Sequence, residues 1–440
     1  MILSISISTP MWLHFVWPAF CAMGLIPTLG HAEEWSRFRG PNGSGIAEAS
    51  HLPATIDAGN TVWRVDIGRG ISSPVGWEGK LFLTSETNPG QRAIICLDSR
   101  DGKELWRYEC AFTAYHMHNF NSFASSTPFV DAQRVYVNWA SGDSVEALAL
   151  DHDGKLLWRN SAVANYVHEH GWGASAVVSD GVMIVRDEFE TEKEGNALGT
   201  PQQMTWKSSV LGLDATTGTQ KWKLQVLNTL SPYSTPIVRE TGGKHEFILV
   251  DSASGVMGID AATGTMNWQH NSCYKQRSIG SYVLQNDMFF ATFGSGDGGK
   301  ESVLLKLGGI EPLEMEAKII KNIPYIPTPL LMGDRLYLLR DGGILTCMKF
   351  PSGEQVYSER LTASGNNGKR RSTKYFASPV AADGKIYCAS QTGDVIVVKP
   401  GDTFEVLGAN SLDGPITATP AIAWNHLFVR TDKSLWCIGN

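Results

Sequence analysis

Four stretches of the chain repeat one pattern of apolar and polar positions: a short apolar run, a turn holding Asp and Gly, and a second run that carries Trp. They read ICLDSRDGKELW (Ile95–Trp106), ALALDHDGKLLW (Ala147–Trp158), VLGLDATTGTQKW (Val210–Trp222) and VMGIDAATGTMNW (Val256–Trp268). Each predicts a β-strand, a tight turn and a further strand. Upstream of each copy lies a second signal, a small or hydroxyl-bearing pair before Pro and then an apolar strand. It appears as Ser72-Ser73-Pro74, Ser126-Thr127-Pro128 and Ser234-Thr235-Pro236, and later as Pro327-Thr328-Pro329, Ala377-Ser378-Pro379 and Ala418-Thr419-Pro420. Two degenerate copies, Ala174-Ser175-Ala176 and Ile279-Gly280-Ser281, fill the gaps. A Gly or Asp turn and another strand follow, as in DGKIYCAS (Asp383–Ser390) and GDRLYLLR (Gly333–Arg340).

The sum is eight units of four short strands, in which the prolines or their equivalents recur roughly every 41–60 residues, the interval of propeller blades. A solenoid would leave its end strands open, whereas a propeller closes on itself and protects them. The last unit stops at SLWCIGN (Ser434–Asn440) after its third strand, and the missing Trp strand stands at the other end of the chain as NTVWRVDIG (Asn60–Gly68). The expected fold is therefore all-β, an eight-bladed β-propeller of four-stranded antiparallel blades, closed by an N-terminal strand joining the last blade. Each repeat indole is expected to pack over the neighbouring blade while its N–H finds a backbone acceptor. Cys96, Cys347 and Cys437 take the slot that holds Ala149, Gly212 and Gly258 elsewhere, a tight place for a small side chain. Cys110 and Cys273 fall in loop-like positions after a Trp; a disulfide is chemically allowed outside the cytosol, and nothing in the sequence specifies this pair.

The Asp-x-x-x-Gly-x-x-x-Trp units resemble the pyrroloquinoline-quinone-type (PQQ-like) propeller repeat family, over residues 60–440. The segment WSRFRGPNGSG (Trp35–Gly45) is similar to the leader of exported propellers of this family. Within it, the chain resembles the BamB-like branch of outer-membrane protein assembly factors more than the quinoprotein alcohol dehydrogenases. The enzyme branch carries a vicinal cysteine pair whose disulfide stacks on the quinone, with calcium-binding acids nearby. This sequence has no Cys-Cys and no Cys-x-x-Cys-His haem signature. The resemblance implies an exported scaffold that binds a ligand or partner in the cell envelope. Its alternative is a divergent PQQ- or metal-dependent oxidoreductase. One scaffold hosts unrelated activities, so the choice rests on the loops.

Composition narrows the setting. With 18% charged and 42% hydrophobic residues, the chain is neither disordered nor polytopic in a membrane. A net charge of −7 gives no electrostatic reason to expect nucleic acid or anionic lipid. Residues 12–29 form an apolar run that ends at Gly30-His31-Ala32, where the small residues fit signal-peptidase cleavage after Ala32. Pro18 and Pro27 argue against a stable spanning helix. The expected division is a signal peptide over 1–32, a leader segment over 33–59 and the propeller over 60–440, with the mature chain in the periplasm or another extracytoplasmic space.

The repeat is accounted for by packing, so chemistry must come from the loops that interrupt it. In four-stranded blades, the link from an outer strand to the next inner strand shares a face with the loops between second and third strands. The link before blade two carries Tyr115-His116-Met117-His118-Asn119, and the link before blade three Tyr166-Val167-His168-Glu169-His170-Gly171-Trp172. An acidic insert beginning Arg186-Asp187-Glu188 interrupts blade three. In extended chain the two histidines of each His-x-His point the same way. His116, His118, His168 and His170, with Glu169 and Asp187, are thus candidate ligands for a divalent metal such as Ca²⁺ or Zn²⁺. Loop hydrogen bonding or stacking in the channel mouth accounts for the same histidines. Basic links precede blade five (Tyr274-Lys275-Gln276-Arg277) and blade seven (Lys369 to Tyr375), and are expected across the channel from the histidines. Arg277, Arg370, Arg371 and Lys374, with Trp172, form the candidate site for PQQ or a small anionic ligand such as a carboxylate, a quinone or a peptide end. A solvated charged loop is the other reading of these links.

Overall fold

The structure, a computed structural model, describes residues 34–167, 170–189, 208–228, 230–270, 274–296, 298–308, 313–314, 322–362 and 373–439. Blade one shows the common plan. Strands Val75–Trp77, Lys80–Asn88, Gln91–Asp98 and Glu104–Ala111 are hydrogen-bonded in chain order, from the channel outward. Blades four to seven repeat that order. Blades two and three follow it too but join, because Leu156–Val167 runs on to pair in parallel with Val182–Phe189. Blade eight is completed from the other end of the chain: Thr61–Asp66 lies antiparallel to Ser434–Ile438, with Trp63 opposite Cys437 and Asp66 opposite Ser434. The eight-bladed propeller and its closure are as the repeats predict. Among the described residues no helix is long and apolar enough to cross a membrane.

The Trp-turn motif works between blades. Trp63, Trp106, Trp158 and Trp222 donate Nε1–H to the carbonyls of Ser99 (2.9 Å), His152 (2.8 Å), Ala215 (3.0 Å) and Ala261 (3.1 Å), each in the turn of the following blade. Each indole lies against the glycine of that turn, where a Cβ would come within 2.7 Å of the ring or closer. Opposite each Trp in its own blade stands the small slot residue, as in Cys96 opposite Trp106 and Gly212 opposite Trp222. Burial pushes the thiols of Cys96, Cys388 and Cys437 up to about 12. Trp268 departs from the rule. The next blade lacks the Asp/Gly turn, and its indole N–H instead donates to the buried Glu246 carboxylate at 3.1 Å, which Arg239 pairs at 2.9 Å. Cys110 lies in the outer strand of blade one, buried with a free thiol, and not in a loop; the periodicity continues further past Trp106 than the sequence discloses. Cys273 lies outside the described residues.

Toward the axis, the hydroxyl motifs tie blade to blade. The amide of Ser73 donates to Thr127 Oγ1 (3.0 Å), that of Thr127 to Ser175 Oγ (3.2 Å) and that of Thr235 to Ser281 Oγ (2.9 Å). The relay continues from Ser281 to Thr328 Oγ1 (2.9 Å), from Thr328 to Ser378 Oγ (2.9 Å) and from Ser378 to Thr419 Oγ1 (3.0 Å). These amides are buried, and each next blade supplies the acceptor that its own sheet does not. Across the closure, Arg430 of blade eight donates to the Ser72 carbonyl (3.0 Å), Ser72 Oγ (2.7 Å) and the Thr84 carbonyl (2.8 Å) of blade one.

The leader crosses the channel at the end away from the inter-blade links. The Trp35 carbonyl accepts the Gly76 amide of blade one and the Ser36 carbonyl that of Val130 in blade two. Arg37 donates to the Pro236 carbonyl of blade four, while Arg39 reaches those of Pro329 (3.1 Å) and Pro379 (3.3 Å) in blades six and seven. Trp35 and Arg39 are fully buried. Gly40, at φ 66°, allows the turn that brings the backbone against the Trp35 ring. Residues 45–47 then pair with Ala381, and Asn410 holds Ile56 and Ala54. Here the leader replaces a repeat element. Gly408 occupies the Trp register of blade seven, opposite Val397, and a Cβ on it would meet the Ala54 carbonyl at 2.0 Å.

Two outcomes test these contacts. Thr328→Val removes the acceptor of a buried amide and is expected to lower unfolding stability in denaturant by about 1–3 kcal/mol, whereas Thr328→Ser retains it. An equal loss in both variants would mean that the relay contributes nothing. Gly408→Trp, which restores the repeat consensus, is expected to lower the melting temperature and speed amide exchange at residues 50–56 by displacing the leader. A raised melting temperature would show that the seat is open.

Candidate ligand-binding cup

Because alternate residues of an extended chain face one way, the channel wall is built in tiers. The motif hydroxyls of Ser73, Thr127, Ser175, Thr235, Ser281, Thr328, Ser378 and Thr419 form one tier. The residues two positions earlier form the next: Ile71, Ser125, Gly173, Tyr233, Ile279, Ile326, Phe376 and Thr417. All of them line a single cavity of about 540 Å³. Phe38 of the leader lines it as well, entering from the plugged end. The result is a blind cup, with hydroxyls and one aromatic ring at its base, a mostly apolar middle and an opening on the face of the inter-blade links.

The segment between Ala111 and Phe129 folds over that opening. Phe120, 46% exposed, meets Phe376 edge-on at 5.2 Å between ring centres, and the Lys374 ammonium lies 4.6 Å from the centre of the same Phe120 ring. His118 stacks on His170 at 5.5 Å with 15° between ring planes, and its amide donates to the His170 carbonyl at 3.1 Å. Asn121 Nδ2 donates to the carbonyls of His170 (2.9 Å) and Trp172 (3.1 Å), which fixes the two links together. The His118 Nδ1 accepts the Phe120 amide at 3.3 Å, and His170 Nδ1 faces Arg277 Nη1 at 3.4 Å. Asp341 also lines the cup. Its oxygens accept the amides of Tyr325 (2.9 Å) and Ile326 (3.0 Å), yet burial raises its pKa more than these amides lower it.

Of the residues singled out in the sequence, His118, His170 and Lys374 line the cup, and Arg277 stands behind His170. The basic and histidine links share a face, and the histidine link reaches the basic one across the channel mouth. The long link before blade two spans the mouth, so Lys374, Phe120, His118, His170 and Arg277 form one continuous band. His116 is exposed on that link and does not line the cup. Trp172 belongs to the core: it is buried against Tyr166, with Nε1–H donated to the Ala174 carbonyl at 2.9 Å, so its ring faces away from the cavity. Asp187 is held by Lys223 (3.0 Å) and the Asn165 amide (3.1 Å) at the seam of blades two and three and does not line the cup. His168, Glu169, Arg370 and Arg371 lie outside the described residues. Among the described residues no three His, Cys, Asp or Glu side chains gather as a metal-holding set. Tyr233 and Phe376 were missed, although counting back two residues from each hydroxyl would have found them; nothing in the sequence marks Phe38.

A family model described as outer membrane protein assembly factor BamB (PQQ_2) matches residues 51–191 and 199–297. No curated protein sequence matches the chain. Among solved structures, BamB from Moraxella catarrhalis aligns with a TM-score of 0.57 at 12% identity, covering 86% of this chain and 98% of that one. Quinohemoprotein alcohol dehydrogenase from Comamonas testosteroni aligns with a TM-score of 0.62 at 12% identity, over 93% and 81%. Sqt1 from Saccharomyces cerevisiae aligns with a TM-score of 0.58 at 9% identity, over 87% and 99%. At such identities the likeness is one of fold. The family match spans more than half of the chain, and the protein belongs to the PQQ-like repeat family that this model describes as outer membrane protein assembly factor BamB.

Proposed function

We propose that this protein is an exported scaffold that binds a ligand or an envelope protein at the link face of its propeller. The observation that carries the reading is the blind cup: the leader plugs one end of the channel, and the other opens through an aromatic and cationic rim. Ligand sites are concave, mostly apolar and furnished with a few convergent polar groups, which describes this cavity. The apolar run ahead of Ala32 and the family match support a periplasmic or other extracytoplasmic setting. A photo-crosslinking residue at position 120, compared with one at Leu157 on the outer strand of blade two, tests the reading in cells. Adducts are expected at the mouth and not at the outer rim. Equal adducts at both positions, or none at either, would sink it.

The stacked His118 and His170 at the mouth favour a second reading, a divalent-metal site within a PQQ- or metal-dependent oxidoreductase. Imidazoles suit such a metal, and His116 stands on the same link. The full chain is to be incubated with Zn²⁺, Ca²⁺ and PQQ, dialysed, and assayed for metal content and absorbance. On the scaffold reading, bound metal stays well below one ion per chain and is unaltered when His116, His118, His168 and His170 are replaced by Ala. One ion per chain, lost in that variant, would establish the metal site instead.

A further inference from the structure

We propose that the cup takes one small, elongated, largely apolar carboxylate, its body in the Ile/Tyr/Phe tier and its anionic end at Lys374. The inference rests on the reading of the cup as a binding site and adds the charge, shape and orientation of what enters it. The tiers supply the shape. Lys374 stands four residues before the hydroxyl of Ser378, so mouth and base are roughly 13 Å apart along extended chain. Between them lie Tyr233, Ile279, Ile326 and Phe376, which offer an apolar wall interrupted on one side by the small Gly173. A volume of about 540 Å³ falls within the range of small-molecule sites.

The sign of the charge follows from the rim. Lys374 is exposed, and among the described residues it has no carboxylate partner; its ammonium rests on the Phe120 ring, at the entrance. Arg277 adds a second cation behind His170 and is itself nearly buried. The acid that lines the cup, Asp341, already accepts two backbone amides, and its burial disfavours the charged form. An incoming carboxylate gains a charge-assisted hydrogen bond from Lys374, whereas an incoming ammonium meets a like charge at the mouth. At the base, each relay hydroxyl that accepts an amide retains its own O–H as a donor to the channel. That base suits a water or a neutral oxygen at the far end of the ligand.

The test uses three probes with one apolar body and different heads: 4-phenylbutyrate, 4-phenylbutanol and 4-phenylbutylamine, titrated calorimetrically into the full chain. The acid is expected to bind once per chain and about tenfold more tightly than the alcohol, with the amine weakest. Lys374→Gln is expected to bring the acid down to the alcohol and leave the alcohol unchanged. Ile279→Trp, which fills the middle tier, is expected to abolish binding of all three. If the amine binds as well as the acid, or the acid ignores Lys374→Gln, the cup binds ligand but the inference is wrong. If none of the three binds while crosslinks at position 120 persist, the inference fails and the partner-binding reading stands.

Discussion

The ring depends on one recurring contact, a buried backbone amide ahead of the inner strand that finds its acceptor in the hydroxyl of the next blade, seen in six blades. An inner strand has no neighbouring strand on its axial side, so its first amide has no partner within its own sheet. The proline that follows most motifs carries no N–H and removes the next donor as well. What remains is one amide per blade, and the Ser or Thr of the following motif takes it at 2.9–3.2 Å in each recorded link. An unpaired buried amide costs on the order of 1–3 kcal/mol, so the six such links make registration between blades a condition of folding. The outer rim obeys the same logic with larger parts, since each indole N–H is satisfied only by the turn of the next blade.

The same side chains make the cup. A hydroxyl that serves as an acceptor for its neighbour faces the channel, and the residue two positions before it does likewise. Structure and site are therefore built from one motif, and the variable position in that motif decides whether the wall is Ile, Tyr, Phe or Gly. The leader completes the site from the other end. Its arginines are taken out of water: burial lowers Arg37 to about 10 and Arg39 to about 9, below the ordinary guanidinium range. Carbonyls of the inner strands offset part of that desolvation. A propeller channel is open by default, and here it is a blind vessel because residues 35–39 cross one mouth.

Assembly factor and alcohol dehydrogenase share this architecture, so the fold does not choose between binding and catalysis. What differs from blade to blade is the link before each inner strand. In this chain the link before blade two bends over the mouth and gathers an aromatic pair, two stacked imidazoles and a lysine into one band. Such a rim recognises something that approaches along the axis, and the apolar tier beneath it rewards a body with little polarity.

The blade count, the four-strand plan and the closing strand were legible in the sequence, because each depends on local signals: turn residues, alternation and a Trp at a constant offset. The face that bears His118, His170, Arg277 and Lys374 was legible too, since strand order alone puts every inter-blade link on one side. Which link residues enter the cup was not. Trp172 and Asp187 read as site residues and are held in the core and at a blade seam, while Phe120, distant in sequence from Phe376, reaches it across the mouth. Nor does the repeat explain why blade seven has Gly408 where five blades carry Trp and blade six Tyr357; the leader backbone occupies that seat. Local propensity and period determine what each blade is. The positions of long links and of the leader depend on contacts between residues far apart in the chain, such as Ala54 and Asn410, 356 residues apart, and only the closed ring brings those together.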